Sequence, residues 1–354
     1  MSARILREFI KRLAACAADS LQQSVSPCRC VDRAMKDRLA DRRELMLTNR
    51  YLALIRTVAE CRVLTTGQFA MLEFGSEQAA RRAVRAMASQ DLLHLGYDRP
   101  GRQRGRPEQL LSLKPLAVQV LKKSGALPKD TNTEDAQAGP LEEFLDHQLM
   151  LNWVRIAVQE LLKARPDFGA VFVSSTSPFR AQIPGALDSL NMALPCSDGT
   201  GGPSTVYPDA VLIMSHRPSQ RSLLFFVEVD MSTESVASPS GKPNDIRQKL
   251  INYRIALGRK LYKSCERIVG VPLTGFRVLF VANTLERASV LCRLAAEMAP
   301  MDFVWITDHG RLRGSGLHGA IWHRGSRADV ADQSVLGSVA SCVGAPPLVE
   351  PQRT

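Results

Sequence analysis

Two acidic residues, Asp209 and Glu228, have the types and spacing that could do chemistry together. Asp209 follows Pro208 and opens the apolar run Ala210-Val211-Leu212-Ile213-Met214. Glu228 closes a second run, Leu223-Leu224-Phe225-Phe226-Val227, and leads into Val229 and Asp230. Short apolar runs bounded by turn residues are the pattern of central strands buried on both faces. A polar turn joins the two runs, which predicts a hairpin. The start of one strand then lies beside the end of the other, about 4.8 Å away. Asp209 and Glu228 are therefore expected close enough to share one divalent cation.

The elements that must position this pair read as an α/β domain over residues 141–325. A long helix is predicted from Leu141 to Ala164, followed by a strand from Ala170 to Ser174. A polar excursion from Thr176 to Thr205 carries the glycine-rich turn Asp198-Gly199-Thr200-Gly201-Gly202. No strand runs from those glycines into a helix, so they do not read as a phosphate-cradling loop. After the hairpin come a helix from Asp245 to Lys263, with Leu250 and Tyr253 on one face, and a strand from Phe276 to Ala282. A helix from Leu285 to Met298 and a strand from Phe303 to Ile306 complete the domain. Residues 326–354 are polar and rich in small side chains, the composition of a disordered tail.

Residues 49–125 follow another pattern. Helices are predicted from Arg50 to Ala59, from Gly67 to Leu72 with Thr65 or Thr66 as cap, and from Glu77 to Ser89 with Ser76 as cap. Strands from Leu92 to Leu95 and from Gln109 to Leu113 flank a basic loop holding Arg102, Arg104 and Arg106. A further helix runs from Pro115 to Lys123. Thirteen Lys and Arg against six Asp and Glu leave this segment at +7, most of the +11 of the whole chain. Arg81 and Arg85 share a helix face and Arg82 flanks them, since helix neighbours diverge by about 100°. Residues 126–140 read as a polar linker. Residues 1–48 read as a basic helical extension, possible targeting peptide or loose tail, to which no function is assigned.

The order helix, helix, basic helix, hairpin with a basic tip resembles a winged helix-turn-helix domain. That resemblance implies double-stranded DNA as a partner, with Arg81, Arg82 and Arg85 in the major groove and the loop arginines on the neighbouring backbone. The second domain resembles the restriction-endonuclease-like core, a mixed sheet flanked by helices, whose signature is PD, a gap, then (D/E)xK. The matching residues are Pro208-Asp209 and Glu228-Val229-Asp230. The resemblance implies Mg²⁺, with Mn²⁺ as substitute, held by Asp209, Glu228 and the carbonyl of Val229. Asp230 stands where the lysine of that signature belongs. Lys249 is the residue expected to supply it, and Lys249 with Tyr253 looks like the glutamine-x-x-x-tyrosine element of recombination-type exonucleases. His147 or Glu143 on the opening helix would complete the site.

Taken together, Asp146-His147-Gln148-Leu149, Tyr207-Pro208-Asp209, Glu228 to Glu234, and Lys249 with Tyr253 resemble the bacterial replication-relaxation family. This implies a role in replication or DNA relaxation on plasmids or other mobile elements, with other replication or mobilisation proteins as further partners. Composition agrees with such a role. At 354 residues and 45% hydrophobic content the chain can form two cored domains, and its pI near 9.5 favours a polyanionic partner. No apolar run reaches the ~18–20 residues of a membrane span. The eight scattered cysteines match no common zinc spacing and suit a reducing cytoplasm. Two functions stay open: a Mg²⁺-dependent DNA endonuclease or nickase, and a non-catalytic regulator of replication or transcription built on a degenerate nuclease fold.

Overall fold

The computed structural model describes residues 49–97, 108–133, 144–182, 192–193, 205–219, 221–236, 245–266, 270, 273, 275–325 and 334–335. The expectations for residues 1–48, for Arg102, Arg104 and Arg106, for Glu143, for the turn at 198–202 and for most of the tail fall outside them.

The N-terminal unit starts with α1 (Asn49–Cys61), β1 (Leu64–Thr65) and α2 (Thr66–Glu73). It continues with α3 (Glu77–Ser89), the hairpin β2 (Leu93–Tyr97) and β3 (Gln109–Leu113), and α4 (Pro115–Lys123). Thr65 caps α2 in a full capping box: its hydroxyl accepts from Gln68 N at 3.1 Å, and Gln68 Oε1 accepts from Thr65 N at 3.2 Å. Ser76 stands at the start of α3 but makes no side-chain cap hydrogen bond. Glu77 in the first turn places a favourable charge there instead. The three strands form an antiparallel sheet in the order β1-β3-β2. Leu54, Ile55, Phe69, Val84, Met87 and Leu111 are among the buried side chains that hold the unit together.

The larger unit begins with α5 (Leu145–Ala164) and β4 (Phe168–Ser174). A small antiparallel pair follows, β5 (Met192–Ala193) with β6 (Thr205–Val206), then the hairpin β7 (Ala210–His216) and β8 (Arg221–Asp230). The rest is α6 (Ile246–Gly258), β9 (Arg277–Ala282), α7 (Leu285–Glu297), β10 (Val304–Asp308), α8 (His309–Ser315) and β11 (His323–Arg324). An open mixed sheet of six strands runs in the order β11-β10-β9-β8-β7-β4. β8, β9 and β10 are parallel, and the other neighbours are antiparallel. α6 and α7 cover one face over Leu224, Phe226, Val278 and Phe280. α5 and α8 cover the other over Phe225, Val227, Leu279 and Trp305.

Several boundaries differ from expectation for identifiable reasons. β8 runs through Asp230, because β9 supplies ladder partners beyond the point where β7 begins: Glu228 pairs Phe280 and Asp230 pairs Ala282. The acids therefore lie within the strand rather than past its end. The helix expected to reach Lys263 stops at Gly258; Lys260 takes φ +56° and a separate 3₁₀ turn, Leu261–Cys265, follows. β10 extends to Asp308, which caps α8 by accepting from Arg311 N at 3.1 Å. α8 and β11 have too few residues for a periodic signal. Leu127, at the start of the expected linker, is buried in the core of the N-terminal unit.

α5 serves both units. Met150, Leu151, Val154 and Val158 pack under the six-stranded sheet, while Ile156 is buried with the N-terminal core. Among the described residues, no helix is long and apolar enough to cross a membrane.

Candidate functional site

Asp209 sits one residue before β7 and continues its ladder. Its N–H donates to Val227 O at 3.1 Å, and its carbonyl accepts from Ser175 N at 2.8 Å. With the backbone fixed on both sides, the carboxylate turns to β8 and α5. Oδ2 accepts from Val229 N at 2.8 Å and pairs with His147 Nε2 at 3.0 Å. Glu228 lies on β8 and is 1% exposed. Its Oε2 accepts from Lys249 Nζ at 3.1 Å, and its Oε1 accepts a short hydrogen bond from Tyr253 Oη. Lys249 and Tyr253 are four residues apart on α6, so one helix face presents both. Tyr253 is held by ring contacts with Phe226 and Phe276.

The two carboxyl groups are driven in opposite directions. Burial pushes Glu228 up to about 7; Asp209 adds to this, while Lys249 and Tyr253 oppose it. Burial would also raise Asp209, but His147, Lys249 and the Val229 N–H outweigh it and hold the carboxyl below its ordinary value. Burial would lower His147, yet the Asp209 charge raises it. Lys249 is likewise pushed up, because Glu228, Asp209 and Glu234 overcome its desolvation.

The structure thus brings together Asp209, Glu228, Lys249, Tyr253 and His147. It takes Asp230 elsewhere. Two residues beyond Glu228 on the same strand, Asp230 accepts from Arg287 Nε at 2.7 Å and Nη2 at 3.3 Å. Arg287 Nη2 also donates to Glu234 O at 2.7 Å, and Ser232 N donates to Asp230 Oδ1 at 2.8 Å. The pair fixes the turn after β8, which sets the Glu234 carboxylate 3.3 Å from Lys249. Glu234 and Arg287 thus join the surroundings of the site. Glu234 lies in the stretch that carries the acid motif, but Arg287, 57 residues from Asp230, has no local signal. Arg81, Arg82 and Arg85 are exposed on α3, and Arg81 pairs with Glu77 at 2.7 Å.

Among the described residues, no group of three or more His, Cys, Asp or Glu is arranged to hold a metal ion. Two carboxylates and one carbonyl do not require such a group. The Val229 N–H points at Asp209, and the carbonyl of a strand residue faces the same edge as its N–H. Asp209, Glu228 and that carbonyl are oxygen donors of the kind that Mg²⁺ takes. Both oxygens of Glu228 already accept hydrogen bonds, so a metal would share or displace the Lys249 contact.

The site opens into a cleft of ≈ 1870 Å³ between the two units. Asp209, His147, Lys249 and Glu234 line one side, and Gly67, Met71, Ser76 and Glu77 the other. The family model described as replication-relaxation matches residues 55–263, more than half of the chain, and the protein belongs to that family. No curated protein and no solved structure matches it.

Proposed function

We propose that this replication-relaxation protein binds double-stranded DNA through residues 49–125, acting as a winged helix-turn-helix. We further propose that it hydrolyses DNA phosphodiesters at a restriction-endonuclease-like site in residues 141–325, in the service of plasmid or mobile-element replication. The observation that carries this reading is the contact of Lys249 with Glu228. The strand lacks the motif lysine, and a helix lysine reaches the motif glutamate in its place.

In this reading Asp209, Glu228 and the Val229 carbonyl hold Mg²⁺ or Mn²⁺. Such an ion supplies charge neutralisation at the phosphate and a more acidic bound water. Lys249 places a second positive charge beside the reacting phosphate and orients the attacking water. His147 fixes the orientation of Asp209 and keeps it ionised. Tyr253 holds Glu228 from beneath. Arg81, Arg82 and Arg85 lie on the helix that enters the major groove in domains of this type.

A second reading has an observation of its own. Glu228 is almost fully buried, with both oxygens satisfied inside the protein. A site so balanced suits a DNA-binding regulator without catalysis. Nicking of supercoiled plasmid in Mg²⁺ or Mn²⁺ separates the two. Activity in the wild type that disappears in both Asp209→Ala and Glu228→Ala supports hydrolysis. DNA binding without nicking in the wild type supports the regulator.

A further inference from the structure

The start of α3 and the acid site open on the same cleft. Ser76 and Glu77 line it together with Asp209 and Lys249. The unit that carries α3 is also fastened to the unit that carries the acids. Asn152, on α5, donates to Val63 O at 2.6 Å and to Cys61 O at 3.3 Å. In the opposite direction Gln68, which closes the capping box of α2, donates from Nε2 to Leu149 O at 2.8 Å. Arg155 pairs with Glu60 at 2.9 Å, and Ile156 and Phe179 are buried with the N-terminal core. Asn152 is 1% exposed and Gln68 is fully buried. Buried amides keep their partners, so these contacts select one placement of the two units.

We infer that the N-terminal unit and the acid site form one composite surface for a single DNA duplex, so that the acid site meets the DNA at a fixed offset, on one side of the sequence read by α3. A freely tethered pair of domains would instead contact DNA at variable distances set by the linker. The inference rests on the DNA-binding reading given above and is independent of hydrolysis. Asn152 is a positioning residue: it contacts backbone of the N-terminal unit and sets where the second contact falls.

Hydroxyl-radical footprinting of the full chain, on a duplex selected for binding and in excess EDTA, tests this without cleavage by the protein. The wild type is expected to protect the α3 site and a continuous extension on one side only. Asn152→Ala is expected to lose or blur the extension while keeping the α3 protection. Glu60→Gln is the second variant, should Asn152→Ala fail to fold; it weakens the same fastening at a part-buried position, where the Arg155 pair loses its charge, and is expected to blur the extension in part. A wild-type footprint confined to the α3 site, or symmetric about it, overturns the composite surface and leaves DNA binding intact. An extension unchanged in both folded variants overturns the positioning role. No protection anywhere overturns the DNA-binding reading and this inference with it.

Discussion

The Lys249 ammonium lies 3.1 Å from Oε2 of Glu228 and 3.3 Å from the Glu234 carboxylate. One cation on α6 is thus shared between a buried acid and an acid at the cleft. Glu228 depends on this contact, because burial disfavours its charged form and the Lys249 ammonium opposes that shift. Lys249→Ala is expected to destabilise the fold by about 2 kcal/mol, below the ~3–5 kcal/mol of a fully buried pair because the lysine is partly exposed. Glu228→Gln in the same chain is expected to recover much of that loss. Urea titration of the two single variants and the double variant measures the coupling; additive losses would show that the pair is not linked.

Tyr253→Phe removes one hydroxyl and keeps the ring against Phe226 and Phe276. One oxygen of Glu228 is then left without its donor in a buried site. The expected cost is ~1–3 kcal/mol, with an unchanged circular dichroism spectrum. A neutral effect would mean that water reaches Glu228.

Asp230→Lys places a lysine where the nuclease motif that the sequence resembles has one. In the structure it would set an ammonium against Arg287 in a buried position. The expected outcome is a loss of about 3–5 kcal/mol and no gain in nicking. Thermal unfolding and the plasmid assay check it together. A stable, more active variant would reassign Asp230 to the reacting site.

Arg81→Glu combined with Arg85→Glu reverses charge on the exposed face of α3. DNA affinity is expected to fall, and the slope of log affinity against log salt to flatten by about 2 if each arginine meets one phosphate. An unchanged slope would take α3 off the DNA.

The buried hairpin was legible in the sequence because β7 and β8 are apolar on both faces and bounded by turn residues. The nearness of Asp209 to β8 followed from antiparallel pairing alone. The reach of Lys249 was legible only through the resemblance to nuclease motifs, since no local rule says which way a helix lysine points. The Asp230–Arg287 pair was not legible, because it joins β8 to α7 across 57 residues. The clamp from Asn152 to the N-terminal unit was hidden for the same reason. A polar residue in an amphipathic helix reads as solvent-facing until a second unit covers it.

The central claim is that a helix lysine supplies the cation missing from the strand, and single-turnover nicking by Lys249→Ala tests it most directly. The assay is run on supercoiled plasmid in Mg²⁺, with DNA affinity measured in parallel. The predicted result is a rate lowered roughly 10²-fold or more, with affinity changed only a few-fold. Nicking at the wild-type rate by the folded variant would contradict the account.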